Sequence, residues 1–258
     1  MNSTILVQEY HAPESSPLII ERFLRDRAGV WRQVKLEYGL NGLIRQMLTS
    51  STVALGCYGA VMGISSGHPL QALASAIKLP ILYLLTLAIC LPTLYLFNLL
   101  CGGRLSARQA LALVLAAITV TAALTLAFAP VALFFMITAQ SYEFFILLNS
   151  AILALTGAVG LSFLVDGVRS LNAQMRADEP QPVESPDEQA PKLPALRLLS
   201  VNMTLLQAWL LLYAFVGTQL AWTLRPFMGD PDMPFILFRP IESNFYAGVL
   251  HTFIGLLR

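Results

Sequence analysis

The chain has 258 residues, a formal net charge of +1, 56% apolar residues and only 12% charged residues. A soluble domain carries about twice that share of charge to cover its surface, and a disordered chain carries too few apolar residues to match this composition. Near-neutrality also argues against nucleic acid as a partner, since that demands a large basic surplus. What remains is an all-α integral membrane protein with the lipid bilayer as its first partner, because long uncharged runs can cross lipid only as helices with internally satisfied backbones.

In chain order, residues 1–48 read as a cytoplasmic N-terminal segment. It opens MNSTILVQEYHAPESS, with no basic stretch ahead of an apolar run, so no cleavable signal peptide is expected. Pro17–Met47 predicts one amphipathic helix: Ile20, Phe23, Leu24, Trp31, Val34 and Tyr38 share a face, with Arg22, Arg25, Arg32 and Gln33 opposite. Basic charge opposite Trp and Phe suits a helix lying in an anionic interface. The alternative is a helix packed on a partner or on the protein's own loops.

Five stretches then lack Asp, Glu, Lys and Arg: Gln46–Ile77, Leu79–Gly103, Gln109–Tyr142, Phe144–Val165 and Leu198–Leu224. Each is long enough to hold a span of about 20 residues, which predicts a bundle of about five transmembrane helices. The spans are placed at Thr49–Ser66, Leu79–Leu100, Ala107–Ala129, Tyr142–Val165 and Leu198–Thr218. Pro92 predicts a kink in the second. Pro130 should end the third by Ala129, leaving Pro130–Ser141 as a re-entrant or interfacial element, or else as the end of one long kinked helix.

Residues 49–165 thus form a four-helix body and 198–222 a fifth helix. Asp166–Arg197 lies between them and reads as a disordered cytoplasmic linker, with five prolines in Pro180–Pro194 and six acidic residues. Residues 223–258 form a tail in which Phe245, Tyr246, Val249, Leu250, Phe253, Ile254 and Leu257 make an apolar stripe, a second amphipathic helix. Five spans put twelve Lys and Arg on one side and four on the other. The excess marks the cytoplasmic side, so the N-terminus is expected in the cytoplasm and the tail outside the cell (inner) membrane.

Candidate sites are few. Ionisable groups at membrane depth are functional hypotheses by default. Here they reduce to Lys78 at the start of the second span and Glu143 at the start of the fourth, both near the outer interface and either paired or simple boundary anchors. Asn149, with Asn98, Gln207 and Gln219, reads as interhelical hydrogen bonding. Arg225 and Arg239 are the fixed charges of the early tail. Small residues at spacing four, Gly59, Gly63 and Gly67 in the first span and Ser150, Ala154, Ala158 and Ser162 in the fourth, predict close helix packing within the chain or self-association.

Cys57, Cys90 and Cys101 form no CxxC pair, and each reads as a buried hydrophobe. His68 and His251 have no ligand spacing, and Asp230-x-Asp232 reads as a proline-rich turn. No phosphate loop, GxSxG or HExxH is present, so no enzyme activity, cofactor or metal is expected. The expectation is a structural or assembly component of a membrane complex, with a protein partner or self-association. The alternative is a transporter or channel with helices broken near Pro92 and Pro130.

Overall fold

The computed structural model describes residues 19, 26–65, 67–100, 106–139, 141–177, 193–229, 236–238 and 245–256. Among these the only regular secondary structure is helical. The helices are α1 (Arg27–Leu36), α2 (Leu40–Ile64), α3 (Pro69–Leu100), α4 (Ala107–Ala127), α5 (Ala129–Thr138), α6 (Tyr142–Ala177), α7 (Leu193–Thr223) and α8 (Phe245–Leu256). Among the described residues four segments are long and apolar enough to cross a membrane: Leu40–Ile64, Pro69–Leu96, Ala107–Thr138 and Tyr142–Leu171. That is one fewer than the five uncharged stretches, the remaining one being α7.

The N-terminal region is divided where the sequence predicts one helix. Residues 37–39 form a turn with Glu37 at φ 52° and Gly39 at φ 62°. Glycine enters this left-handed region without steric cost, so α1 ends and α2 begins there. Leu40–Met47 therefore belongs to the first long helix, whose start moves back nine residues from Thr49. Tyr38 is 73% exposed in the turn rather than part of an apolar face.

The apolar side of α1 is turned to the bundle. Val30, Trp31 and Val34 are buried, and the Trp31 ring lies 5.3 Å from that of Phe163 in α6. The apolar face predicted for this helix is thus packed, in its described part, against α6. The predicted face residues Ile20, Phe23 and Leu24 lie outside the described residues.

Helix α4 is the centre of the bundle: the span Ala107–Thr138 that it opens is 61% buried in its most apolar part, against 28–44% in the other three candidate spans. It packs on α2, α3 and α6, while α2 pairs most extensively with α3. The start of α4 is fixed by a capping box. Ser106 Oγ accepts from the Gln109 N–H, and Gln109 Oε1 accepts from the Ser106 N–H. The Gln109 amide also donates to the carbonyls of Val34 and Lys35 at the end of α1. One side chain thus satisfies the orphan groups of two helix ends.

The predicted interruption before Pro130 occurs at Phe128, and α5 follows as a ten-residue helix. The hydrogen-bond ladder continues across the break, with Phe128 N–H bonding Leu124 O and Ala132 N–H bonding Phe128 O. By contrast α3 runs unbroken through both Pro80 and Pro92. Helix α6 continues past Val165 to Ala177, and α7 starts at Leu193. The flanks of the predicted linker, 166–177 and 193–197, are therefore helical, and its proline-rich centre lies outside the described residues.

The second half of helix α7 runs antiparallel to α3. Trp209 Nε1 donates to Cys90 O at 3.0 Å and to Thr93 Oγ1 at 3.2 Å, and beyond Gly217 the chain reaches Gln71 at Pro226. Trp209 is fully buried. Helix α8 packs on both α6 and α7. The residue before α4 and helix α1 share one end of the bundle, and residues 224–229 and 236–238 lie at the other.

Candidate functional site: a polar slot on α3 and the tail that fills it

Helix α3 begins at Pro69, ten residues before the predicted span. Proline suits a first helical position because its missing N–H is not needed there. The extension places Lys78 about 13 Å along the helix axis instead of at its entry. Gln71, Ser75 and Lys78, spaced four and three apart, fall on one face. All three are buried, at 2%, 0% and 5% exposure.

Buried polar groups need partners, and these three find them in the tail. Gln71 Nε2 donates to Pro226 O at 3.0 Å and to Phe227 O at 3.4 Å. Ser75 Oγ donates to Phe227 O. Lys78 Nζ donates to Pro226 O at 3.2 Å and to Leu237 O, and sits 4.7 Å from the centre of the Phe238 ring. A cation over an aromatic face is attracted by the ring quadrupole. Every one of these bonds runs from a side-chain donor on α3 to a main-chain carbonyl of the tail or is a contact with a tail ring.

The same tail segment is held from two further sides. Tyr142 at the start of α6 donates its hydroxyl to Met228 O at 3.2 Å. The Arg225 guanidinium stacks 3.7 Å from the centre of the Trp222 ring, and Gly248 of α8 lies against the same indole. Thr218 and the Tyr246 hydroxyl are 3.3 Å apart. The tail is thereby tied to α3, α6, α7 and α8 at one end of the bundle.

Of the predicted sites, Lys78 is thus brought against the tail, while Arg225, the residue before Pro226, stacks on Trp222. Glu143 is not: its side chain is exposed, and among the described residues it makes no ion pair with Lys78, whose ammonium is turned to carbonyls. Asn149 is buried at 0% exposure and accepts the Tyr58 hydroxyl at 2.7 Å, while its amide donates to Phe145 O. That pair joins α2 to α6. Arg239, Asp230, Asp232 and Cys101 lie outside the described residues, as does the His251 side chain.

The two small-residue rows part company. Gly59 and Gly63 face α3 so closely that an added Cβ would lie 2.8 Å from the Ser75 carbonyl carbon and 2.5 Å from Ala72 Cα. Their row is packing within the chain. Gly67 is not part of it: it sits in the α2–α3 turn at φ 70°, where the left-handed backbone rather than close approach calls for glycine. Ala154, Ala158 and Ser162 are exposed and Ser150 half-buried, so their row faces away from the bundle. The contact face of α6 is instead Thr156, 2.9 Å from Thr125 of α4, and Gly160, where a Cβ would meet Ala117 O at 2.8 Å.

The residues missed in the sequence are Gln71, Ser75, Gln109 and Gly160. Only Ser106-x-x-Gln109 carried a readable local signal, the capping-box spacing. Among the described residues there is no group of three or more His, Cys, Asp or Glu that would hold a metal. At the opposite end an open pocket of about 150 Å³ is lined by Glu37, Asn41 and Arg108, a solvated concavity with no nucleophile–base pair. Comparison with family models, curated proteins and solved structures returned no match.

Proposed function

We propose that this chain is a non-enzymatic, multi-pass component of the cell (inner) membrane that acts as a structural or assembly subunit of a larger complex. The observation that carries this reading is how the polar groups inside the helices are spent. Gln71, Ser75, Lys78, Tyr58, Asn149, Thr125, Thr156 and Trp209 all bond to this chain's own backbone or to each other. A transport path needs such groups turned to a cavity, whereas a scaffold needs them as glue.

The same reading takes α7 as a fifth crossing. Its support is the antiparallel docking along α3 and a length of about 46 Å, ample for a core of about 30 Å. The N-terminal region is then cytoplasmic, by its basic excess, and the tail lies on the other side. The exposed Ala154, Ala158 and Ser162 face of α6 is open to a partner helix or a second copy.

Two experiments test this. Purification in mild detergent is expected to recover a stoichiometric membrane partner or a self-associated form, and a lone monomer would count against the reading. In a cysteine-free background, Ser185→Cys is expected to resist an impermeant maleimide in intact cells, while Asp230→Cys reacts. Labelling of Ser185→Cys alone would reverse the topology, and labelling of both from outside would show that α7 does not cross. A second reading, a transporter, is favoured by the break at Phe128 between α4 and α5, and ion or solute flux in liposomes with the pure protein would establish it.

A further inference from the structure

We infer that α8 is a half-span, a helix sunk in the hydrocarbon of the tail-side leaflet with lipid acyl chains covering its outward face, an inference that rests on α7 crossing the membrane. Phe245–Leu256 contains no Asp, Glu, Lys or Arg. At about 18 Å it is too short to cross a core of about 30 Å. Its outward side chains Tyr246, Leu250, Phe253 and Ile254 are 46–59% exposed. The other side is packed: Gly248 lies directly against the Trp222 indole, and the Phe245 ring meets that indole edge-on at 6.5 Å. A helix lying on the membrane surface keeps a charged or polar face for water. In α8 one side takes the protein and the outward side is apolar, so among its described side chains no polar face is left for water.

The docking site of α8 fixes what surrounds it. On α7, Leu211, Phe215, Thr218 and Trp222 share one face by their helical spacing. Leu211 and Phe215 are 74% and 52% exposed, and in a crossing helix that part of the face meets lipid. Thr218 and Trp222 continue the same face, and these are the residues on which α8 sits. The Tyr246 hydroxyl is 3.3 Å from Thr218 Oγ1, and Gly248 lies on Trp222. Thr218 is roughly 8 Å inside the end of α7 at Thr223. Helix α8 is therefore docked on the lipid side of α7, within the membrane rather than beyond it, and its outward row prolongs the exposed Leu211 and Phe215 surface. Trp222 and Tyr246 are also the residue types enriched at the membrane–water boundary. Because α8 packs on α6 as well, it joins α7 to the body as a wedge set in from the lipid side.

Collision of nitroxide labels with oxygen, which concentrates in hydrocarbon, and with a nickel chelate, which stays in water, tests this. The full-length cysteine-free protein is reconstituted in phosphatidylcholine–phosphatidylglycerol vesicles and labelled at Leu250→Cys or Phe253→Cys. Val53→Cys, 64% exposed on α2, is the lipid standard, and Arg32→Cys, exposed on α1, is the water standard. Labels at 250 and 253 are expected to match Val53→Cys, with an oxygen-to-nickel ratio about tenfold or more above that of Arg32→Cys. A ratio like that of Arg32→Cys would place the face in water and overturn the half-span. Little collision with either reagent would put protein there, a second copy or a partner helix, and would overturn the lipid-covered face equally. Phe215→Cys separates this outcome from the crossing of α7. Lipid at 215 with water at 250 and 253 removes the half-span alone, whereas water at 215 removes the crossing as well.

Discussion

Asn149 shows how a single polar residue is absorbed by a membrane bundle. Its side chain both accepts from Tyr58 across the α2–α6 contact and donates to its own helix. The cost of removing such a pair in lipid is modest, because the alternative state also finds partners. Asn149→Ala and Tyr58→Phe are therefore each expected to lower stability by about 1 kcal/mol, with the double variant losing less than the sum. Thermal unfolding of the four proteins in one detergent measures the coupling, and strict additivity would deny it. Glycines behave more sharply. Gly63→Ala forces a methyl group onto the backbone of α3 and is expected to cost about 1–3 kcal/mol, whereas Ala158→Leu, on an exposed face, should change stability by less than about 0.5 kcal/mol. Both residues sit in rows of identical sequence character, so their spacing alone does not tell a packed row from an open one.

At the scale of elements, helix ends decide more than helix interiors. The uncharged runs mark the cores of α2, α3, α4 and α6, because exclusion of charge is a property of each segment by itself. The ends deviate. Helix α2 starts at Leu40 because Gly39 permits the turn, α3 starts at Pro69 because proline starts helices well, and α6 runs on to Ala177 beyond its apolar part. The short helix α1 owes its position to Trp31, which contacts Phe163 and fits over Gly167. Trp31→Ala is expected to remove about 3 kcal/mol of packing and to raise amide exchange in 27–36 while leaving α4 protected. Unchanged exchange in α1 would mean that its amphipathic face is held by something other than α6.

For the whole molecule, the body of α2, α3, α4 and α6 is one packed unit to which α7 is added along α3. Trp209 is the principal fixing of that addition, with its ring buried and its indole N–H bonded across the contact. Trp209→Ala is expected to cost about 3–5 kcal/mol and to render 193–223 sensitive to protease in detergent before 40–171 is cut. Simultaneous cleavage of both would show that α7 is integral to the body's stability. The membrane character, the all-helical class and the existence of the long apolar helices were set by the sequence itself, since the transfer of a run of residues into lipid depends on those residues and not on their neighbours in space. The partner of Lys78, the separate fates of the two small-residue rows and the burial of α1 were decided only by the tertiary structure. Each of these depends on which face of one helix meets another segment distant in sequence, and spacing along a single helix carries no information about what lies across from it.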